Sequence, residues 1–460
     1  IVPGYYHRLD ERGFVHTSTC CPNTATEHAM MEKFMIDSLV LWAREYKIDS
    51  FRFDLMGHHM VENMMNVRDA LDALTLEKDG VDGRQIYVYG EGWNFGEVVN
   101  DARGRNASQW NMAGTGIGTF NDRMRDAVRS SGPFDEPDDM IRNQGFISGL
   151  YLDPNDDNPR NDRPLREEEA RRRLLLLGDQ IRVGLAANLR DFSFTDRTGT
   201  TVTGAQVEYG GGPAGYALTP LDTINYIEKH DNQTLYDILV MKVPVEREMD
   251  DRVRIQNLGT SLVALSQGIP FFHAGQDMLR SKSMERDSYN SGDWFNRLDF
   301  TYQHNNFGVG LPPDVPPGHY PYLRPFLANP DLVPEPRHIR RAADHFREIL
   351  QIRYSSPLFR LGTAKDIQER LAFHNTGPRQ IPGLIVMSLS AEGGASVVVL
   401  FNARPEEVSF SRQPFAGAAY ELHPVLQEST DPVVRGARFE ASTGTFTVPG
   451  RTTAVFVEGE

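Results

Sequence analysis

The sequence predicts an α/β fold in which parallel strands alternate with helices, followed by a C-terminal antiparallel β domain. Three observations predict it. Apolar strand-like runs such as "IDSFRFD" and "QIYVYGEGW" are separated by segments of helical period, and strands that alternate with helices imply a parallel sheet. Those runs end at a carboxylate just before a loop, which is where a β/α barrel gathers its polar groups. Near residue 355 the texture changes to short β runs separated by turns, with no helix between them.

The first element is a helix over "TATEHAMMEKFMIDSLVLWAREY". Thr24 and Glu27 have capping-box spacing. Met31, Phe34, Met35, Leu39, Trp42 and Tyr46 recur at helical period and are assigned to the core. "IDSFRFD" then alternates, with Ile48, Ser50, Arg52 and Asp54 on one face and Phe51 and Phe53 on the other. A polar face of that kind suits the inside of a barrel near its mouth, with Asp54 buried beside Arg52. A helical stretch near 60–76 leads into "QIYVYGEGW", which ends at Glu91. Residues 100–220 are less regular, with the loops "DPNDDNPRNDRP" and "EYGGGPAGYALTP" on either side of a helical "REEEARRRLLLLG". "LDTINYIEKHDNQ" reads as a strand ending at Asp231. A helix around 247–267 and the strand "GIPFFHAGQD" follow. The C-terminal β runs are "GLIVMSLS", "SVVVLFN" and "TFTVPGRTTAVFVE".

A chain of 460 residues holds one large domain with a small one, or two to three average domains. The net charge of −15 argues against a nucleic-acid partner, which calls for a basic surface, and suits a neutral substrate. No apolar run approaches the roughly 18 residues of a membrane span. Cys20 and Cys21 are adjacent, which excludes a disulfide framework or a zinc spacing. They form either a vicinal disulfide or two buried thiols. The opening "IVPGYYHRLD" has neither an initiator methionine nor a signal peptide and reads like the middle of a domain, so the chain is expected to be a fragment.

The acids Asp54, Glu91 and Asp231 carry the chemistry. A strand-end carboxylate alone is more often a helix cap or an ion-pair partner; three with basic or aromatic neighbours point to a site. Arg52, on the face of Asp54, can hold that carboxylate ionised and oriented, as a nucleophile requires. Glu91 sits between two glycines and close to Trp93, and a surrounding poor in charge would raise its pKa toward that of a general acid. His230, Asp231 and Asn232 can exchange hydrogen bonds with the hydroxyls of a neutral ligand. One anionic and one protonated carboxylate are what a retaining glycosidase needs.

"FRFDLMGHH", "YGEGW" and "IEKHDNQ" resemble three signature regions of the α-amylase superfamily, glycoside hydrolase family 13. The longer spellings "GEGWNFGEV", "KHDNQTLYD" and "LRSKSMERDSYNSGDWFNRLDF", with "VPGYYHRL" and "TCCPNTATEHAMM", are similar to the pullulanase and limit-dextrinase type, which hydrolyses α-1,6 bonds in branched α-glucans. The resemblance covers most of residues 1–355. It implies a (β/α)8 TIM barrel lacking its first strands over 1–355, from about the fourth strand onward, followed by a C-terminal antiparallel β-sandwich over 356–460. The family's first signature region, which lies shortly before "VPGYY" in relatives, is absent. By the resemblance Asp54 is the nucleophile, Glu91 the general acid/base and Asp231 the acid that stabilises the transition state. Arg52 and His230 flank the sugar in the first subsite, and Trp93 is the aromatic beside the acid. Arg280, Asp287 and Asn290 line the cleft; for Asp287 the competing reading is a turn cap or a pair with Arg286.

The resemblance implies no cofactor for bond cleavage. Calcium at acidic loops such as "DPNDDN" is weighed against plain loop solvation, which is favoured. The partner implied is a branched α-glucan such as pullulan, amylopectin or a limit dextrin, with no nucleic acid and no membrane. Alternatives are isoamylase or glycogen-debranching specificity, or an inactive chain that only binds α-glucan. An enolase-type barrel would use strand-end acids for magnesium, which the three motifs disfavour. The compartment stays open, and the frequent export of bacterial relatives leans toward an extracellular or periplasmic location.

Overall fold

Backbone geometry in the computed structural model is described for residues 2, 4–130, 132, 135–155, 166–391 and 396–458. It is a mixed α/β chain that divides into two compact units. The first comprises residues 1–120 and 216–224, the second 121–215 and 225–460.

The first unit opens with an irregular N-terminal segment and helix α1, Ala29–Tyr46. Strand β1 (Ser50–Phe53), helix α2 (Val61–Asp72), strand β2 (Tyr87–Gly90) and strand β3 (Gly118–Asn121) follow. β1 and β2 are parallel, with Arg52 opposite Tyr89 and Phe53 opposite Gly90. β2 and β3 are also parallel, with Tyr89 opposite Gly118. Parallel neighbours need crossovers on the sheet faces, and α2 is the one between β1 and β2. Phe53, Val88 and Ile117 from the sheet meet Met64, Val67 and Leu71 of α2 and Ala43 of α1 in one buried cluster.

Two expectations for α1 are corrected. The helix starts at Ala29 with His28 as an N-cap that makes no side-chain cap bond; Glu27 does not serve a capping box with Thr24 but pairs with Arg8. The stripe assigned to the core splits. Met31 is buried, and Met35 and Leu39 pack on the cluster with Ile36 and Val40. Phe34, Trp42 and Tyr46 are 61%, 46% and 64% exposed. A helical period does not say which of two neighbouring apolar stripes meets the sheet.

The second unit holds the helices Glu167–Leu185, Met249–Ala264 and Pro336–Ser355. The runs read as strands near Asp231 and at "GIPFFHAGQD" are short, Thr223–Asn225, whose first two residues belong to the first unit, and Ile269–Pro270. After Ile227 the buried Glu228 accepts a hydrogen bond from the Leu235 N–H and pairs with His273, so the chain turns away before Asp231. Pro270 removes a ladder donor.

Beyond residue 355 the strands are antiparallel, as expected. One sheet runs in the order Leu371–Phe373, Leu384–Ser390, Ser396–Asn402, Thr452–Glu458, Tyr420–Leu422. The other runs Val408–Ser411, Thr445–Val448, Arg438–Glu440. Phe446 and Phe456 bring the two sheets together with ring centroids 5.0 Å apart. Arg254, on the helix Met249–Ala264, pairs with Asp431 and donates to the Thr452 hydroxyl.

Leu400 sits in the centre of the larger sheet, opposite Val386 and Ala454, and is fully buried. Leu400→Ala is expected to cost about 2–5 kcal/mol through lost burial and the cavity left behind. A lowered melting temperature measures it, and an unchanged one would contradict this packing.

Candidate active site

Asp54 and Glu91 stand just beyond the C-terminal ends of β1 and β2, one residue past the paired Phe53 and Gly90. Arg52 reaches both carboxylates, with Nη1 3.1 Å from Asp54 Oδ2 and Nη2 2.9 Å from Glu91 Oε1. The Leu55 N–H donates to Glu91 Oε2 at 3.1 Å. Leu55 holds a left-handed conformation with φ 43°, which turns that N–H back toward the acid.

The expected surroundings of both acids are corrected. Glu91 is buried at 2% exposure, but its neighbourhood is not poor in charge: a guanidinium and a backbone N–H address it directly. Asp54 lies beside Arg52 as expected, yet its side chain is 76% exposed rather than buried, because the chain leaves the strand for the turn at Leu55.

The "YGEGW" glycines have a packing role. A Cβ on Gly90 would stand 2.7 Å from Met56 Cβ and from the Phe53 carbonyl oxygen. A Cβ on Gly57 would fall 2.1 Å from the Trp93 carbonyl oxygen, and the Gly57 N–H donates to the Glu91 carbonyl at 2.8 Å. Trp93 is half-buried beside this turn.

Behind the acid lies a polar node that the sequence reading missed. Arg8, almost fully buried, makes a two-point pair with Glu27, donates to Glu97 at 3.0 Å and donates to the His58 carbonyl at 2.8 Å. Ser18 and Asn23 also donate to Glu97. Burial pushes the Glu97 carboxyl up, but the Ser18 hydroxyl, its own backbone N–H, the Asn23 amide and Arg8 outweigh it and bring the pKa down to about 2. Burial, with the nearby Arg8 and His58 charges, lowers His59 to about 4. Burial also lowers His58, which shares a 2.7 Å hydrogen bond with Ser18. The segment "STCCPNTATE" supplies Ser18, Asn23 and Glu27, polar residues in a run without period, so spacing alone gives no signal of their meeting. Cys20 and Cys21 within it are disulfide-bonded and exposed rather than two buried thiols.

In the second unit Asp231 is contacted by Lys229 and by His230, whose Nε2 is 3.3 Å from Asp231 Oδ1. His230 is 56% exposed. Asn232 is buried in a left-handed conformation, φ 64°, and its N–H donates to Asp287 Oδ1 at 3.3 Å. Asp287 also pairs with Arg286 at 3.2 Å, the structural reading weighed for it. Arg280 donates to His273 and to the Ala274 carbonyl, both at 2.9 Å, and burial lowers its pKa. Asn290 is exposed on a short 3-10 turn.

The loop considered for calcium lies only partly among the described residues. Asp153 is taken by Arg247 and Arg451, and residues 156–158 lie outside the described residues. Among the described residues no helix is long and apolar enough to cross a membrane.

The strand-end acids with their arginine, and the antiparallel C-terminal sheets, are the features to set beside known proteins. Residues 302–459 match the family described as "Alpha-1,6-glucosidases, pullulanase-type, C-terminal", and the chain as a whole is similar to proteins named pullulanase. It is 50% identical to "Pullulanase 1, chloroplastic" of Arabidopsis thaliana over all of this chain and 48% of the relative. It is 39% identical to a pullulanase of Klebsiella pneumoniae, covering 99% of this chain and 41% of the relative. The chain thus spans about half the length of the curated relatives it matches. A crystal structure of the Klebsiella pneumoniae protein in complex with maltotriose matches with a TM-score of 0.90 at 39% identity, over all of this chain and 48% of that one.

Glu97 supports a pH prediction. Its folded pKa lies below its unfolded value, so its contribution to stability is full above about pH 4.5 and fades as the pH falls toward 2. The melting-temperature gap between the native chain and Glu97→Gln should be constant above pH 5 and close on acidification. A gap that widens in acid would contradict the node.

Proposed function

We propose that this chain carries the catalytic residues of a retaining α-1,6-glucosidase acting on branched α-glucans. The observation that supports it best is the Arg52 fork between Asp54 and Glu91 at adjacent parallel strand ends. The finer architecture proposed is a (β/α)8 barrel from about its fourth strand onward over 1–355, with a β-sandwich over 356–460.

The chemistry is double displacement. Asp54 attacks the anomeric carbon while Glu91 gives its proton to the leaving 6-oxygen. The C–O bond breaks and a covalent glucosyl ester forms on Asp54. Glu91, now ionised, takes a proton from water, which attacks the same carbon and releases the α-anomer. Asp231 binds sugar hydroxyls most strongly in the oxocarbenium-like transition state, where binding lowers the barrier. His230, Asn232, Trp93, Arg280, Asp287 and Asn290 are proposed sugar contacts. Of these, Arg280 and Asp287 also have protein partners, which hold the segment in shape. No cofactor enters any step.

Product analysis on pullulan tests the proposal, with the chain alone and with a full-length enzyme that contains it. Maltotriose as the sole small product is expected from the full-length enzyme. Cleavage of amylopectin without action on pullulan would move the assignment to isoamylase-type specificity. In an active enzyme Glu91→Gln should lower turnover about 10²–10⁴-fold. Asp54→Asn should abolish it and leave no glycosyl intermediate. Native rates from either variant would refute the roles.

A further inference from the structure

Lys282 has no part in the chemistry above, yet it is buried at 0% exposure. Its ammonium donates to the His230 carbonyl at 2.7 Å and to the Arg286 carbonyl at 2.9 Å. Each carbonyl belongs to the peptide that leads into an acid of the candidate site, Asp231 in the first case and Asp287 in the second. The two segments meet again where the Asn232 N–H donates to Asp287.

The backbone on both sides needs such a hold. Leu279, Ser283 and Met284 around Lys282, and Asn232 beside Asp231, all have positive φ, between 54° and 64°. Non-glycine residues keep that conformation only where surrounding contacts over-determine it. Buried Asp237 provides the opposite anchor. It accepts from the Lys282 N–H at 2.8 Å and from the Ser281 hydroxyl. It sits in the first turn of the helix Leu235–Lys242, whose N-cap is Thr234.

The charge on Lys282 is the costly part. A buried ammonium is often less stabilising than a well-packed apolar side chain, so packing alone does not account for it. Burial lowers its pKa to about 8 against the opposing charge of Asp237, with Arg280, Asp287 and Glu228 also acting on it. It is therefore charged at neutral pH, where N–H donors to carbonyls are strongest.

We propose that Lys282 is a positioning residue: by holding the His230 and Arg286 carbonyls with one ammonium it locks the Asp231 turn to the 281–287 segment. The catalytic consequence rests on the α-1,6-glucosidase reading; the coupling between the two segments does not. Misplacement of a transition-state group by about 1 Å costs on the order of 100-fold in rate, and Asp231 is the group displaced.

The test compares the full-length enzyme with Lys282→Met and Lys282→Gln by hydrogen exchange and by pullulan kinetics, after melting curves confirm folding. Exchange should quicken together in the windows 226–236 and 280–292. Turnover should fall about 100-fold with KM little changed. Exchange unchanged in both windows, or quickened in only one, overturns the proposal. So does native turnover in an enzyme that cleaves pullulan, a loss confined to KM, or the failure of both variants to fold. If the native enzyme itself does not cleave pullulan, the functional reading fails, and joint loosening of the two windows alone decides the coupling.

Discussion

The site in the first unit depends on one guanidinium between two carboxylates. Two acids at neighbouring strand ends repel each other, and without a shared cation one of them would move or take up a proton. Sequence alternation supplies that cation. Arg52 lies two residues before Asp54, and the parallel register sets Arg52 opposite Tyr89, two residues before Glu91. The offset that places Arg52 on the face of Asp54 thus brings Glu91 within reach. The register holds because Gly90 leaves room for Met56 and Gly57 leaves room for the Trp93 carbonyl. A bulkier residue at either position would push the turn at Leu55 away from Glu91, and the acid would lose its backbone donor with its place.

The second unit manages buried charge by the same rule. Arg182 and Asp179 pair at 2.7 Å with almost no exposure of either side chain. Arg451 answers both Asp153 and Asp251. Pairs of this kind add little net stability compared with apolar packing, but losing one partner strands the other in a medium that cannot solvate it. Their effect is to make a particular arrangement of segments much cheaper than its neighbours in conformation. That is why they recur where irregular chain must hold a fixed shape, as around Arg8 and around Lys282.

The fold class and the strand-end acids were legible because they rest on local periodicity. β1 and β2 alternate or cluster apolar residues over a few positions, and each ends at its acid. The helices at 167–185 and 249–264 were equally plain. Four things were not. Long-range polar nodes such as Arg8 with Glu97 join residues some ninety positions apart and leave no local pattern. The exposed flank of α1 could not be told from the buried one, since both are apolar. The strand lengths near Asp231 and His273 were overestimated because Glu228 and Pro270 end the ladder through contacts that apolar content does not reveal. The exposure of Asp54 was misjudged for a related reason: alternation assigns a face, whereas burial depends on what packs over it.

The double role proposed for Glu91 follows from the same guanidinium. In the resting arrangement Arg52 divides its charge between two carboxylates, and the negative charge of Asp54 opposes a second one on Glu91. The first step proposed consumes a proton from Glu91, and it is Asp54 whose charge changes between the two steps. Once Asp54 is esterified by the sugar its charge is gone. Arg52 then faces a single carboxylate, with the Leu55 N–H as its second donor, while Glu91 draws a proton from water in the proposed second step. The switch from acid to base needs no movement of Glu91. On the proposed roles the change lies in the charge at the other end of the arginine.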